Sequence, residues 1–137
     1  MKIKESVIDF VQLAQEEQHL QFQKIWALEQ LIFPTSTIEQ LYSCLYDSTA
    51  VSIPIVQYFH RGKLVGQNII SILKLELNGQ AIFIISSRAG FLTEYRGRSR
   101  SLNSAIRVAL NYRMRNPFTP LWFVTTLMQP KIYTLFT

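Results

Sequence analysis

The chain has 137 residues, 48% of them hydrophobic and 17% charged, which predicts one folded domain over residues 1–137 rather than a disordered segment. No uncharged stretch reaches the roughly 20 residues of a membrane-spanning helix, and the N-terminus lacks the apolar run of a secretory signal. One cysteine excludes an internal disulfide, and two distant histidines do not have metal-ligand spacing. We therefore expect a cytoplasmic domain without a metal or a membrane partner.

The formal net charge of +5 is concentrated in one stretch, residues 88–115, which we call the arginine segment. This segment holds seven arginines and one acid, Glu94, so its net charge is +6 and the rest of the chain has −1. Such a concentration of guanidinium groups is typical of a surface that binds an anion.

The first third of the chain predicts two helices. Residues 6–13 fit either a strand or the start of a helix. A run rich in Gln, Glu and Leu predicts a helix over about 14–32, which ends before Pro34 because proline disfavours helical geometry in the preceding residue. Residues 35–37 supply N-cap oxygens for a second, amphipathic helix that reaches about Tyr46.

The middle of the chain predicts an antiparallel β-meander. Its strands are β-branched-rich runs at 51–59, 64–77 and 81–85. An Asn-Gly pair at 78–79 is typical of a type I′ hairpin turn. His60 falls in the first predicted turn, where we expect a solvated side chain.

After the meander the apolar period becomes helical. Apolar residues with this spacing predict a helix that faces the core and ends at Asn116-Pro117; they are Leu102, Ala105, Ile106, Ala109 and Leu110. Residues 121–124 predict a strand, and Gln129-Pro130 predicts the start of another helix. The order of elements indicates an α+β domain in which antiparallel hairpins lead into a βαβ unit.

Three arginines, Arg96, Arg98 and Arg100, stand directly before this helix. Each cation at a helix N-terminus is unfavourable by roughly 0.3–1 kcal/mol, because the helix dipole is positive there. A bound phosphate would make the same arginines favourable, because its negative charge attracts both the guanidinium groups and the helix N-terminus. The turn is therefore either an anion site or a solvated basic loop.

The stretch FLTEYRGRSRS at 91–101 resembles the acyl-CoA signature of the GNAT superfamily of N-acyltransferases. Glu94-Tyr95-Arg96-Gly97 matches that signature, whereas Thr93 replaces its usual proline. The resemblance implies a GNAT-like mixed, mostly antiparallel sheet flanked by helices. It also implies that the turn holds the CoA pyrophosphate and that the backbone near Phe91 holds the pantetheine arm. The residues of the turn are Arg96, Gly97, Arg98, Ser99, Arg100 and Ser101.

Ser99 and Ser101 depart from the family pattern, which usually has glycine or alanine there. A serine β-carbon crowds a bound phosphate, while its hydroxyl is able to donate to it. A catalytically silent scaffold that binds CoA or dimerises therefore stays an alternative to an enzyme.

A second motif, Gln129-Pro130-Lys131-Ile132-Tyr133, resembles the family's Asn/Ser-Pro-x-x-Tyr helix start. The resemblance, which covers about residues 51–135, implies that Tyr133 protonates the departing CoA thiolate. Ser86-Ser87 marks either the point where two strands of the family's sheet splay apart or an ordinary strand end. No general base is assignable.

Only four residues follow Tyr133, whereas the family has two further strands there. The sequence is therefore expected to be C-terminally incomplete and to lack the last two strands of the sheet. A strand from Leu121 to Leu127 would leave an apolar sheet edge, which a second copy of the chain could cover in a homodimer.

The resemblance implies an acyl-CoA-dependent N-acyltransferase with acetyl-CoA as the donor and a small-molecule or protein amine as the acceptor. The amine would attack the thioester directly in a ternary complex. An arginine-rich nucleic-acid-binding module is the remaining alternative. It is weakened because the segment has no groove-reading motif.

Overall fold

The computed structural model describes residues 3–95, 100–119 and 121–126, with the side chains of Thr93, 100–105, Tyr112 and 122–126 excepted. The helices are α1 (Gln15–Ile32), α2 (Ile38–Leu45) and α3 (Arg100–Arg115). The strands are β1 (Lys4–Asp9), β2 (Ala50–Ser52), β3 (Pro54–His60), β4 (Lys63–Leu77), β5 (Gln80–Phe91) and β6 (Leu121–Thr126). Short 3-10 turns follow β1 and β5, at Phe10–Gln12 and Thr93–Tyr95.

The strands form one sheet in the order β1-β3-β4-β5-β6, and the short β2 pairs with β4 beside this path. All pairs are antiparallel except β5 with β6, which is parallel. A parallel pair needs a crossover connection, and α3 supplies it. The predicted α+β class and the βαβ unit are confirmed.

Alternate residues of each strand face two separate cores. On one face, Ile55 and Ile69 pack with residues of α1 and α2, such as Ile25 and Leu41. On the other face, a second cluster packs against Val108 and Ala109 of α3; its members are Ile3, Val56, Tyr58, Val65, Ile70, Ile72, Phe83, Ile85, Phe91 and Tyr95. The sheet is therefore covered by α1 and α2 on one side and by α3 on the other.

Local sequence signals fix several of these boundaries. Thr37 and Gln40 form a reciprocal capping box at the start of α2. The turn between β4 and β5 has positive φ at both central residues, 54° at Asn78 and 78° at Gly79, as a type I′ hairpin requires. None of the helices in the described residues combines the length and apolar character needed to cross a bilayer.

Two expectations from the sequence are corrected by the structure. β5 runs to Phe91 rather than ending near residue 85, because its polar residues find polar partners on neighbouring elements. The face of α3 that packs inward is rotated from the predicted one. Ile106 is 44% exposed and Leu110 is 58% exposed, while Val108 and Ala109 contact the sheet.

Candidate functional site

The candidate site lies at the end of β5, the strand that pairs with both β4 and β6. β5 and β6 pair in parallel register from Phe83 with Leu121 to Arg88 with Thr126. Among the described residues, the last three positions of β5, residues 89–91, pair with β4 only. In the described residues, the pairing with β6 thus ends at Arg88, three residues before the end of β5.

Neither interpretation of Ser86-Ser87 is correct. Both serines lie inside β5 and pair with residues 124–125 of β6, so they mark neither a splay nor a strand end. Ser87 instead donates to the buried Asn68 side chain, with 2.6 Å between Oγ and Oδ1. Their polarity reflects this buried partner and the register with β4, where Ser86 is opposite Ser71.

Phe91, a predicted cofactor-binding residue, is the last residue of β5 and is buried. Its ring packs against Tyr58, with 4.8 Å between ring centroids, and lies directly on the backbone of Gly66. The Phe91 side chain is therefore part of the core. Any contact of this residue with a ligand has to be made by its backbone, as the pantetheine prediction requires.

A 3-10 turn follows β5 and ends at Tyr95, which is buried. The turn is tied to the sheet because the Leu92 N–H donates to Val65 O over 2.8 Å, and the Tyr95 N–H donates to Leu92 O over 2.8 Å. The Tyr95 hydroxyl lies 2.8 Å from Nδ1 of His60, and the two rings meet edge to face. His60 is therefore the part-buried last residue of β3, and the expectation of a solvated turn histidine is wrong.

Most of the predicted phosphate turn lies outside the described residues. Arg96, Gly97, Arg98 and Ser99 connect the anchored Tyr95 to the start of α3, and nothing is described between these two points. Arg100 and Ser101 are the first two residues of α3. The predicted general acid, Tyr133, also lies outside the described residues.

On the face of β5 that packs against α1, Arg88 forms a buried ion pair that the sequence did not reveal. Its Nε lies 2.5 Å from Oε1 of Glu29, a residue of α1 whose side chain is only 1% exposed. The same guanidinium group donates to Ser36 Oγ over 3.0 Å and lies 5.1 Å from the ring centroid of Phe33. Arg88 thus connects the α1–α2 loop to β5 at the point where the described pairing with β6 ends.

The other carboxylate oxygen of Glu29 accepts from Gln67 of β4 over 3.3 Å. The same Gln67 amide nitrogen also lies 3.3 Å from the backbone oxygen of Ile25, which fixes the orientation of the amide. A sequence signal for this buried acid did exist. Glu29 falls on the buried stripe of α1 with Ile25, Leu28 and Ile32 at helical spacing.

The arginine segment is not one continuous basic surface in the described residues. Arg88 is paired with Glu29, and Arg107 lies 3.4 Å from Glu5 of β1. Arg113 donates to the backbone oxygen of Thr119 over 3.0 Å and so fixes the loop after α3. Two of the seven arginines, Arg88 and Arg107, are thus paired with acids, and the arginines next to the start of α3 stay the predicted anion site.

The single cysteine, Cys44, lies away from this site on α2, with its Sγ 3.6 Å from Ser71 Oγ. Burial raises the pKa of the Cys44 thiol, an effect opposed less strongly by the hydrogen bond with Ser71 and the charge of Arg88. A raised pKa lowers the thiolate fraction at any given pH. We expect Ellman's reagent at pH 8 to modify Cys44 at least about tenfold more slowly in the native protein than in urea. Equal rates in the two conditions would contradict this.

Comparison with solved structures identifies the fold. No protein-family model matches the sequence, and no curated protein matches it. A ribosomal-protein-alanine N-acetyltransferase from Brucella melitensis biovar Abortus 2308 superposes with a TM-score of 0.52 at 13% identity, over 98% of this chain and 88% of that one. The aminoglycoside N-acetyltransferase AAC(6')-Iy in complex with CoA superposes with a TM-score of 0.52 at 12% identity, over 95% of this chain and 79% of that one.

A third structure is a GCN5-related glucosamine N-acetyltransferase region of a fungal multi-domain β-N-acetylglucosaminidase. It gives a TM-score of 0.61 at 11% identity, over 95% of this chain and 14% of that one.

This chain has the GNAT fold. The mostly antiparallel sheet flanked by helices, implied by the sequence resemblance, is confirmed. Within the GNAT fold, the βαβ unit formed by β5, α3 and β6 contains the stretch that resembles the acyl-CoA signature.

Proposed function

We propose that this protein is an acyl-CoA-dependent N-acyltransferase that transfers an acetyl group from acetyl-CoA to an amine. One observation carries the proposal. The Glu94-Tyr95-Arg96-Gly97 stretch enters the crossover helix between two parallel strands, and Tyr95 is anchored there by His60. The N-terminus of α3 thus lies at the end of the sheet where β5 ends, and three arginines stand in the sequence between Tyr95 and the first turn of that helix.

In this proposal the donor is held by main-chain groups and guanidinium groups. The N–H groups of residues 96–101 bind the CoA pyrophosphate, with Arg96, Arg98 and Arg100 adding charge-assisted hydrogen bonds. The pantetheine arm is proposed to lie along the backbone of β5 beyond Arg88, past the last described pair with β6. The serines at 99 and 101 fit the group through their hydroxyls, which donate to phosphate oxygens.

The chemical step is direct transfer. The nitrogen of a neutral primary amine attacks the thioester carbonyl carbon, a C–N bond forms, the C–S bond breaks, CoA leaves as the thiolate, and the nitrogen gives up one proton to water. Tyr133 is proposed to protonate that thiolate as the general acid, since a phenol with a pKa near 10 suits this role. Holding amine and thioester together supplies much of the rate. The acceptor is a small-molecule or protein amine.

Calorimetric titration with acetyl-CoA tests the donor site. We expect saturable binding to the unmodified chain, and the Arg96→Ala or Arg98→Ala variant to weaken it by about tenfold or more, because each removes a charged donor to phosphate. Arg115→Ala is the matched control, since it removes the same charge from the opposite end of α3 and should leave the affinity unchanged.

Absence of binding to the unmodified chain would reject the proposal. Equal losses in the Arg98→Ala and Arg115→Ala variants would instead indicate attraction by overall charge, which is what a nucleic-acid-binding module predicts. The ion pairs of Arg88 and Arg107 make that module less suitable, because two of the seven arginines it would use are already paired with acids. Saturable binding without release of free CoA from acetyl-CoA and amines would favour the silent scaffold.

The homodimer through residues 121–127 stays a prediction. β6 is the outermost strand of the sheet in the described residues, as the prediction requires.

A further inference from the structure

Helix α2 carries a row of apolar side chains on its exposed surface. Ile38 and Tyr42 lie four residues apart on α2, and Tyr46 follows at the same spacing directly after the helix. All three are exposed, and the rings of Tyr42 and Tyr46 stack with 4.5 Å between their centroids. Residues four apart form a ridge on a helix surface. We call Ile38, Tyr42 and Tyr46 the α2 ridge.

Helix α3 carries a similar row on the other side of the sheet. Its members, Ile106, Leu110 and Met114, are also four residues apart, and all three are exposed, Met114 to 80%. They point away from the sheet, because α3 packs against it through Val108 and Ala109. We call Ile106, Leu110 and Met114 the α3 ridge. Each ridge spans nine residues, so the two are similar in length.

A groove lies beside each ridge. Tyr42 stands between two grooves, one lined by Leu20 of α1 and the other by Phe22 of α1. Leu110 lines a groove between α3 and β1, whose far side is the exposed Val7. Two helices pack by placing the ridge of one into the groove of the other. The two surfaces therefore have shapes that permit helix-on-helix packing.

The two surfaces also carry opposite charges. Glu16 and Glu39 line the two grooves beside Tyr42, and residues 33–49 contain no lysine or arginine. No ion pair of Glu16 or Glu39 is found in the part of the chain that the structure describes. Helix α3, in contrast, has four arginines and no acid in its sequence. A basic helix with an apolar ridge is thus the partner that suits the acidic α2 surface, and this chain contains one.

We propose that this protein associates with itself head to tail, with the α3 ridge of one copy packed against the α2 ridge of the next. Apolar side chains meet at the centre of this contact, and arginines of α3 border the acids beside α2. The two ridges lie on opposite sides of the sheet, so each contact leaves one free ridge on either copy. Further copies are therefore able to add, unlike in a two-fold dimer. The contact uses neither the β6 edge nor the proposed donor site.

Sedimentation velocity on the full chain tests this association. We expect the weight-average mass to rise with protein concentration between about 10 and 500 μM, the range of a weak contact. We expect the association to weaken as salt is added, because salt screens the attraction between arginines and acids. Leu110→Asp and Tyr42→Asp each place a charge at the centre of one ridge, and each variant alone should stay monomeric.

Leu77→Asp is the matched control for these variants. Leu77 is 59% exposed and Leu110 is 58% exposed, but Leu77 lies at the end of β4 and belongs to neither ridge. Leu77→Asp should therefore leave the association unchanged. Circular dichroism checks that all three variants are folded.

Mixing the two monomeric variants distinguishes a head-to-tail contact from a symmetric one. The Tyr42→Asp chain keeps its α3 ridge and the Leu110→Asp chain keeps its α2 ridge, so the mixture should form a pair with the mass of two chains. A mixture that stays monomeric would overturn the proposal. Association that persists in both single variants, as a dimer through the β6 edge would, also overturns it. So does an unmodified chain that stays monomeric throughout, as expected if another protein covers the ridges.

Discussion

Replacing Arg88 with leucine is expected to lower the free energy of unfolding by about 3 kcal/mol. The Glu29 carboxylate is 1% exposed, and Arg88 Nε lies 2.5 Å from it, so the variant leaves an uncompensated buried charge. It also removes the donor to Ser36 and the cation above Phe33. Urea denaturation followed by circular dichroism measures the loss.

Two further variants separate this cause from a general effect of removing an arginine. Arg107→Leu breaks an exposed pair with Glu5 and should cost less than about 1 kcal/mol. Combining Glu29→Leu with Arg88→Leu removes both charges, and we expect it to recover most of the lost stability. A loss in Arg88→Leu no larger than that in Arg107→Leu would contradict the assignment of a buried ion pair.

The parts of the fold that the sequence predicts are those specified locally. The Asn-Gly turn at 78–79 needs only two neighbouring residues, and the start of α2 depends on Thr37 and Gln40. The end of α1 before Pro34 depends on one proline. Each of these signals acts over a few positions, so a pattern in one sequence is sufficient to find it.

The parts that could not be predicted depend on residues far apart in the chain. Glu29 and Arg88 are separated by 59 positions, and His60 and Tyr95 by 35. Polar residues in β5 indicated that the strand ends near residue 85. These residues have hydrogen-bond partners on β4 and α1. A buried polar group with such a partner does not interrupt a strand, so β5 continues through them.

In the candidate site, too, the local motif was predictable from the sequence and the long-range contacts were not. The motif at 91–101 marks the stretch from sequence alone, and the structure adds what anchors its beginning, namely the contact of Tyr95 with His60. Charge counting could not distinguish Arg88, which neutralises Glu29, from the arginines that precede α3. That distinction required knowing which acid lies beside each guanidinium group.

Gly66→Ala is expected to cost about 2–3 kcal/mol of stability, because Phe91 occupies the space that a β-carbon would need. An ideal Cβ at Gly66 lies 2.6 Å from Cε1 and 2.8 Å from Cγ of the Phe91 ring. The ring cannot move away freely, since Tyr58 packs on it with 4.8 Å between centroids. The added methyl therefore overpacks the core at the end of β5.

Gly79→Ala is the control for glycine removal in general. A Cβ at Gly79 meets nothing within 4 Å, so only the positive φ of 78° opposes the substitution, at a cost of about 1 kcal/mol. The double variant Gly66→Ala with Phe91→Leu should cost less than the sum of the two single changes, because the smaller side chain makes room for the methyl. Additive losses would show that the strain lies elsewhere.

The same displacement of Phe91 moves the backbone proposed to hold the pantetheine arm. Gly66→Ala is therefore expected to weaken acetyl-CoA binding, whereas Gly79→Ala, in the turn at the opposite end of β5, is not.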